Sequence, residues 1–441
     1  MTTGDVTTDE VTTTADLASD ADVIAPGIGL PAEQQAEPER GLLQRALDNL
    51  RTGNLGVLPI VLGLVFIVVF FSFKATNFFT ADNFNNIIIQ TAGTAMLAYG
   101  VVFVLLLGEI DLSIGYLSGL AAVAAAELQL PGSDHDAPFG IIAPISGLLA
   151  IPIAVGIAAA LGAGQGTIVA RVGVPSFVVT LAGLLIFQGI ILHLLEVRGT
   201  ILISDHWIND TAYYYFSHFW GWVIAAIVTV GYAAIVLGHV WSHRRAQVAI
   251  RNPWMLLAKV VGVGVAVFTV VGICNHARVP TGLPLAGVLV IIFLVGLTYL
   301  AKRTPFGRHV YAVGGNAEAA RRAGINVPRI RIIVFMISGA MAGVGGIILA
   351  ANVNSVDLNV GGGTLLLNAI AAAVIGGVSL FGGRGEVRGA LLGALVIATV
   401  SNGLNTAGYS NGTIYVVTGI ILLLAVTLDT IARRLQVRSG R

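Results

Sequence analysis

From Leu55 to Ile431 the chain alternates long apolar runs with short polar inserts. Twelve runs can be marked: 55–73, 84–107, 112–128, 140–161, 175–195, 220–238, 254–273, 284–301, 331–350, 364–380, 388–404 and 413–431. Each is about 17 to 24 residues long, the length an α-helix needs to span a hydrocarbon core. Few carry the polar face that a water-exposed helix would show. The pattern predicts an all-α polytopic membrane protein of about 12 transmembrane helices.

Composition agrees, with 56% apolar and 11% charged residues in 441. Charge placement adds orientation. Threading the runs with the N-terminus inside leaves only Lys74, Arg198 and Arg278 outside, with Lys259 near a helix end where it can snorkel. Both termini are therefore expected on the cytoplasmic side. Residues 1–50 form a separate region: Met1–Glu39 has nine acidic residues and no Lys or Arg, the mark of a disordered tail. Gly41–Arg51 follows as an amphipathic lead-in. No basic and apolar leader opens the chain, so the first span is expected to serve as its own signal. The membrane-embedded body covers 51–431, and 432–441 is a basic tail.

The longest informative polar insert is Lys302–Arg331, which holds seven of the 24 Lys and Arg residues. Its centre reads as a short helix. Asn316 is a candidate N-cap, Ala317 to Ala323 are strong helix formers, Glu318 sits in the first turn, Arg321 and Arg322 lie near the end, and Gly324 can take the left-handed stop. So short a helix is marginal in water and is expected to dock on a partner. The alternative is a solvated basic loop that only fixes orientation.

Between two apolar runs, Glu109 and Asp111 are the sharpest feature. A carboxylate in the bilayer must be wet or paired, and Gly108 and Gly115 allow the backbone to break there. Residues 108–115 are thus expected to be a broken or re-entrant segment near a permeation route, or else a plain turn at the inner interface. A similar Gly-x-apolar-x-Leu-x-x-Gly pattern recurs at Gly376–Gly383, and repeated broken segments point to a pathway. Asn86, Gln90, Ser113, Gln188, Asn368 and Ser379 are candidates for an uncharged path, with interhelical hydrogen bonding as the alternative for each. On the external side, Thr200–Trp220 carries Trp207, Trp220 and Tyr213 to Tyr215, expected as an interfacial aromatic belt or a docking face.

Enzyme motifs are missing: no phosphate loop, no His-Glu-x-x-His and no Gly-x-Ser-x-Gly. His239 and His243 are a weak metal candidate, and the lone Cys274 excludes an internal disulfide. No catalytic or metal site is therefore expected in this chain. A chain without a nucleotide site must borrow ATP hydrolysis from a partner or use an ion gradient.

Three stretches carry a family resemblance. Gly314-Gly315-Asn316-x-Glu318-Ala319-Ala320-Arg321-x-x-Gly324-Ile325 resembles the cytoplasmic loop of the permeases of bacterial ABC importers for ribose, galactose and xylose. Gly108-Glu109-Ile110-Asp111-Leu112-Ser113-Ile114-Gly115 is similar to the family's Gly-Gly-Ile-Asp-Leu-Ser-x-Gly, with Glu109 in place of a Gly. Asn368-Ala369-Ile370-Ala371-Ala372, with Asn368 where an Asp is usual, leads to Gly376-Gly377-x-Ser379-Leu380-x-Gly382-Gly383-Arg384-Gly385. The resemblance implies a multi-pass plasma-membrane protein, paired as two copies, with a separate ATPase that binds ATP and Mg and an extracytoplasmic sugar-binding protein. Lipid surrounds it and nucleic acid plays no part. It also implies that 302–330 is the coupling loop, with Gly315, Asn316, Glu318, Ala319, Ala320, Arg321 and Gly324 facing the ATPase. Two added spans near 200–285 match the longer, xylose-type members. A nucleoside or branched-chain amino-acid permease and an ion-coupled transporter remain as alternatives.

Overall fold

A computed structural model describes residues 58–130, 144–245, 253–278 and 281–438. The acidic tail, the lead-in and the external segment 131–138 lie outside the described residues. Elsewhere the apolar runs are helical, because in lipid only intra-segment hydrogen bonds can satisfy the main chain. The helices are α1 (Leu58–Lys74), α2 (Ala81–Leu106), α3 (Ile114–Leu128), α4 (Gly147–Thr167, prolonged by a π turn to Val172), α5 (Ser176–Leu195), α6 (His206–Tyr213), α7 (His218–Arg245) and α8 (Pro253–Asn275). They continue with α9 (Leu285–Arg303), α10 (Pro305–Gly315), α11 (Ala317–Arg322), α12 (Val327–Val353), α13 (Leu365–Ile375), α14 (Val387–Thr406) and α15 (Asn411–Arg438). Among the described residues, eight helices are long and apolar enough to cross a membrane, and α1, α3, α13 and the first half of α15 are shorter apolar helices.

The bundle has a centre and a rim. In α2, 89% of the apolar window is buried inside the protein; in α7 the figure is 6%. Burial in α2 requires close neighbours, and α12, α14 and α13 supply them. At the crossing of α4 and α12 a Cβ on Gly162 would strike the Phe335 carbonyl, and one on Gly339 would strike the Ala158 carbonyl. Only glycine lets these two backbones touch, the usual device for packing helices that gain nothing from expelling lipid. The added pair α7 and α8 packs on itself and leans on α2 through Phe84 and Ile88, which meet Ala225, Val271 and Cys274.

One end of the bundle is closed by short strands. β1 (Thr200–Leu202) pairs antiparallel with β4 (Ser355–Asp357), and β2 (Tyr215–Phe216) with β3 (Leu283–Pro284). The Gln129 amide ties α3 to this end, donating to the Leu202 carbonyl at 3.1 Å and accepting from the amides of Ser204 and Asp205. Asp205 caps α6 by accepting from Trp207 and Ile208. The aromatic run is therefore a folded connection, with Trp207, Tyr213 and Tyr214 partly exposed on it. The opposite end carries the basic residues of α9 to α12, and is called the basic end below.

Two departures from the expected runs bear on the site. The run 364–380 holds only the eleven-residue α13, because Gly376-Gly377 ends the helix with Gly377 at φ +84°. The run 140–161 yields a helix that starts and finishes later, at Gly147 and Val172.

Candidate functional site

The site is built from the basic end inward. Thr304 caps α10 by accepting from the Gly307 amide at 3.2 Å, and Pro305 takes the first helical position, where its missing N–H is no loss. Gly307, Val310 and Val313 turn inward. Asn316 ends α10 and caps α11, accepting from the Ala319 amide at 2.9 Å. Glu318 meets Arg321 at 3.3 Å and Arg322 at 3.4 Å. Gly324, at φ +84°, lets the Ile325 amide reach back to the Ala320 carbonyl at 3.0 Å. Ala320 is buried, whereas Gly315, Asn316, Glu318, Ala319, Arg321 and Gly324 are exposed. The result is a capped, solvent-facing turn of helix seated by one methyl group.

Immediately before it, Gly314 lies against the core. A Cβ there would collide with the Leu106 carbonyl, the atom that also accepts from the Gly383 amide at 2.9 Å. A Cβ on Gly382 would come within 2.8 Å of both the Gly108 amide and the Gly314 carbonyl. Thus the three stretches that carry the family resemblance meet main chain to main chain. Around this seam Tyr311 donates to the Gly385 carbonyl at 2.8 Å, and Glu386 takes Lys302 and Arg388, each at 2.8 Å. The hydrogen bond from Lys302 is the chief reason that the Glu386 carboxyl is held below its ordinary value. Ser379 belongs to this loop, its hydroxyl accepting from the Phe381 amide at 3.1 Å.

Residues 107–113 form the link between α2 and α3, with Gly108 at φ +76°. The Ile110 amide donates to Ser176 at 3.2 Å, fixing the link on α5. Its two acids have different fates. Glu109 pairs with Arg331 of α12 at 3.1 Å, a partner 222 positions away that the sequence did not disclose. Asp111 is buried and accepts from the Ser113 amide at 3.0 Å, the Ser113 hydroxyl at 2.7 Å and the Ser338 hydroxyl at 2.9 Å. The Ser113 hydroxyl is also 3.0 Å from Gln165 Oε1, yet it has one proton, already given to Asp111. Turning the Gln165 amide over makes its NH2 the donor to Ser113 and satisfies a nitrogen otherwise buried without a partner. Gln165 and Ser338 therefore complete a network of which sequence reasoning found only Asp111 and Ser113.

Asn86, Gln90 and Asn368 lie elsewhere, at two cavities along α2. One, of about 620 Å³, is lined by Asp82, Asn83, Asn86, His276, Arg278 and Thr406 at the end away from the basic residues. The other, of about 420 Å³, has Gln90 and Asn368 in its wall. Gln188 is half-buried on α5 and joins neither. Among the described residues no three His, Cys, Asp or Glu side chains converge as a metal site.

The permease-component model of the branched-chain amino acid transport system family matches residues 83–426. The chain belongs to this permease family. The permease is 36% identical over 397 residues to the xylose transport system permease protein XylH of Escherichia coli, covering 88% of this chain and 95% of that one. It is 35% identical to XylH of Haemophilus influenzae, covering 86% and 98%, and 31% identical to the ribose import permease protein RbsC of Escherichia coli, covering 84% and 92%. No solved structure matches it. As a permease component it is a membrane transport subunit and not itself an enzyme.

Proposed function

We propose that this permease forms the translocation path of an ATP-driven importer for a monosaccharide, D-xylose or a related pentose, in the bacterial plasma membrane. The observation that carries the reading is the exposed helix α11 joined without a gap, through Gly314, to the two links at Leu106–Gly108 and Phe381–Gly383. A capped helix too short to persist alone suits the groove of a partner. A separate ATPase holding ATP and Mg would push on α11, and the push would reach the ends of α2 and α13. The matched lengths of the xylose and ribose permeases support a sugar over other solutes.

In this reading the eight long helices with α1, α3 and α15 cross the bilayer, α13 and the extended links on either side of it complete a twelfth crossing, and both termini and the basic end lie in the cytoplasm, as the Lys and Arg bias favours. A second copy of the chain completes the path and an extracytoplasmic binding protein delivers the sugar. Asp111 serves structure: donors occupy both of its oxygens, which disfavours an ion-coupled transporter. The test is co-purification with the ATPase followed by uptake of labelled xylose into proteoliposomes supplied with the extracytoplasmic binding protein. Coupled uptake that is lost in Glu318→Lys/Arg321→Glu, with the complex still inserted, is expected. Accumulation by the permease alone under an ionic gradient would overturn the proposal.

A further inference from the structure

The cavity of about 420 Å³ lies between α2, α13, α14 and α15, beside Leu349 of α12. At 1.5 Å per residue, Gln90 stands roughly 14 Å along α2 from Ala81, near mid-bilayer for a helix of this length. A space of this size is ample for a monosaccharide. Its polar wall is made of amides and hydroxyls: Gln90, Asn359, Asn368, Thr364, Ser401 and Tyr415. Among the described residues no charged side chain lines it. Such a lining in the middle of a membrane protein is unusual unless something polar visits.

Asn368 makes the case specific. Its amide nitrogen is turned to the Thr364 hydroxyl at 3.3 Å, while its carbonyl oxygen is closed off from solvent with no partner among the described residues. An acceptor closed off without a partner costs free energy until a donor reaches it, and a sugar hydroxyl is such a donor. The approach is marked too. Asp82, Asn86, Gln90 and Thr94 recur every four residues and so follow one slowly turning face of α2. The first two line the 620 Å³ cavity and the last two this one.

We propose that the cavity walled by Gln90, Asn368, Ser401 and Tyr415 is a selecting subsite inside the permease, where a neutral polyhydroxy solute pauses and, with a turn of the Asn368 side chain that brings its closed-off carbonyl oxygen to the wall, donates a hydroxyl to that oxygen. The proposal rests on the sugar-importer reading and adds the place and the acceptor. An amino acid brings an ammonium and a carboxylate, and this wall offers neither a counter-ion. A neutral polyol is matched by the amides and hydroxyls, each able to donate and accept.

The test uses the full permease with its ATPase in proteoliposomes, the extracytoplasmic binding protein supplied at saturating concentration, and labelled D-xylose. Asn368→Leu, close in volume but without an acceptor, is expected to raise the KM for xylose about tenfold, while Asn368→Asp, which keeps the acceptor, stays within about twofold of the parent. In a parallel measurement Ser401→Cys is labelled by a small thiol reagent, the native Cys274 being buried. Saturating xylose is expected to slow the labelling several-fold and leucine to leave it unchanged. Xylose uptake with parental KM in Asn368→Leu, or labelling of Ser401→Cys indifferent to xylose, would overturn the subsite and leave the importer reading standing. Transport of leucine and not of any aldose by the parent complex would overturn both.

Discussion

A buried carboxylate needs a donor at each oxygen, and Asp111 has Ser113 on one and Ser338 on the other. Ser338→Ala should therefore destabilise the permease by about 1–3 kcal/mol, because it strands one buried carboxyl oxygen. Asp111→Asn should be milder than Asp111→Leu, since the amide still pairs with both hydroxyls; thermal unfolding in detergent ranks the three. Gly183→Ala should act on the same network from outside, driving a methyl into the Gln165 amide. Glu109 and Arg331 form a second unit. Removing one partner of a half-buried ion pair leaves the other uncompensated, so Glu109→Gly combined with Arg331→Leu should be more stable than Arg331→Leu alone, a sign a double-mutant cycle reads directly. Asp111 and Ser113 were legible because polar residues between apolar runs must find partners. Gln165 and Arg331 were not. Gln165 sits on helix residues beyond the predicted end at 161, and the distance in sequence from Glu109 to Arg331 hides their contact.

At the scale of elements, α11 was legible from its caps, since Asn316, Glu318 and Gly324 each occupy the position that their chemistry favours. Asn316→Ala should loosen it by about 1 kcal/mol, seen as faster amide exchange at Ala319 with the spans unaffected. Helix α10 went unseen because Gly307, Gly314 and Gly315 make a poor helix by propensity. The Thr304-Pro305 start was its signal, and burial against α2, α9 and α12 overrides the propensity. The Lys302–Glu386 contact joins the ends of α9 and α14. Because Glu386 titrates below its ordinary value of 4.5, its contribution is complete above that pH and fades as pH falls through the lowered value. The stability difference between the parent and Lys302→Met should therefore shrink on acidification below about 4.5, a trend that unfolding at several pH values will follow.

For the molecule as a whole, the hydrophobic pattern located the apolar helices, because a hydrocarbon solvent allows so few alternatives. Which helix lies at the centre was less legible, for α2 and α7 are both long and apolar yet differ fully in burial. The difference arises from neighbours, and neighbours are set by glycine contacts that no single run displays. The added pair α7 and α8 leaves and re-enters the bundle between β2 and β3, where Phe216 pairs with Leu283. A chain joined directly from Ser217 to Gly282 should insert with its other helices in place, since an even number of crossings is lost; protease accessibility of the basic end will report it. The seam of Leu106, Gly314 and Gly383 has no side chains between its strands and hence no rotamers to absorb a displacement. Movement entering at the protein surface must pass across it whole, as between gears cut without backlash, and a single added methyl at Gly314 would jam the train.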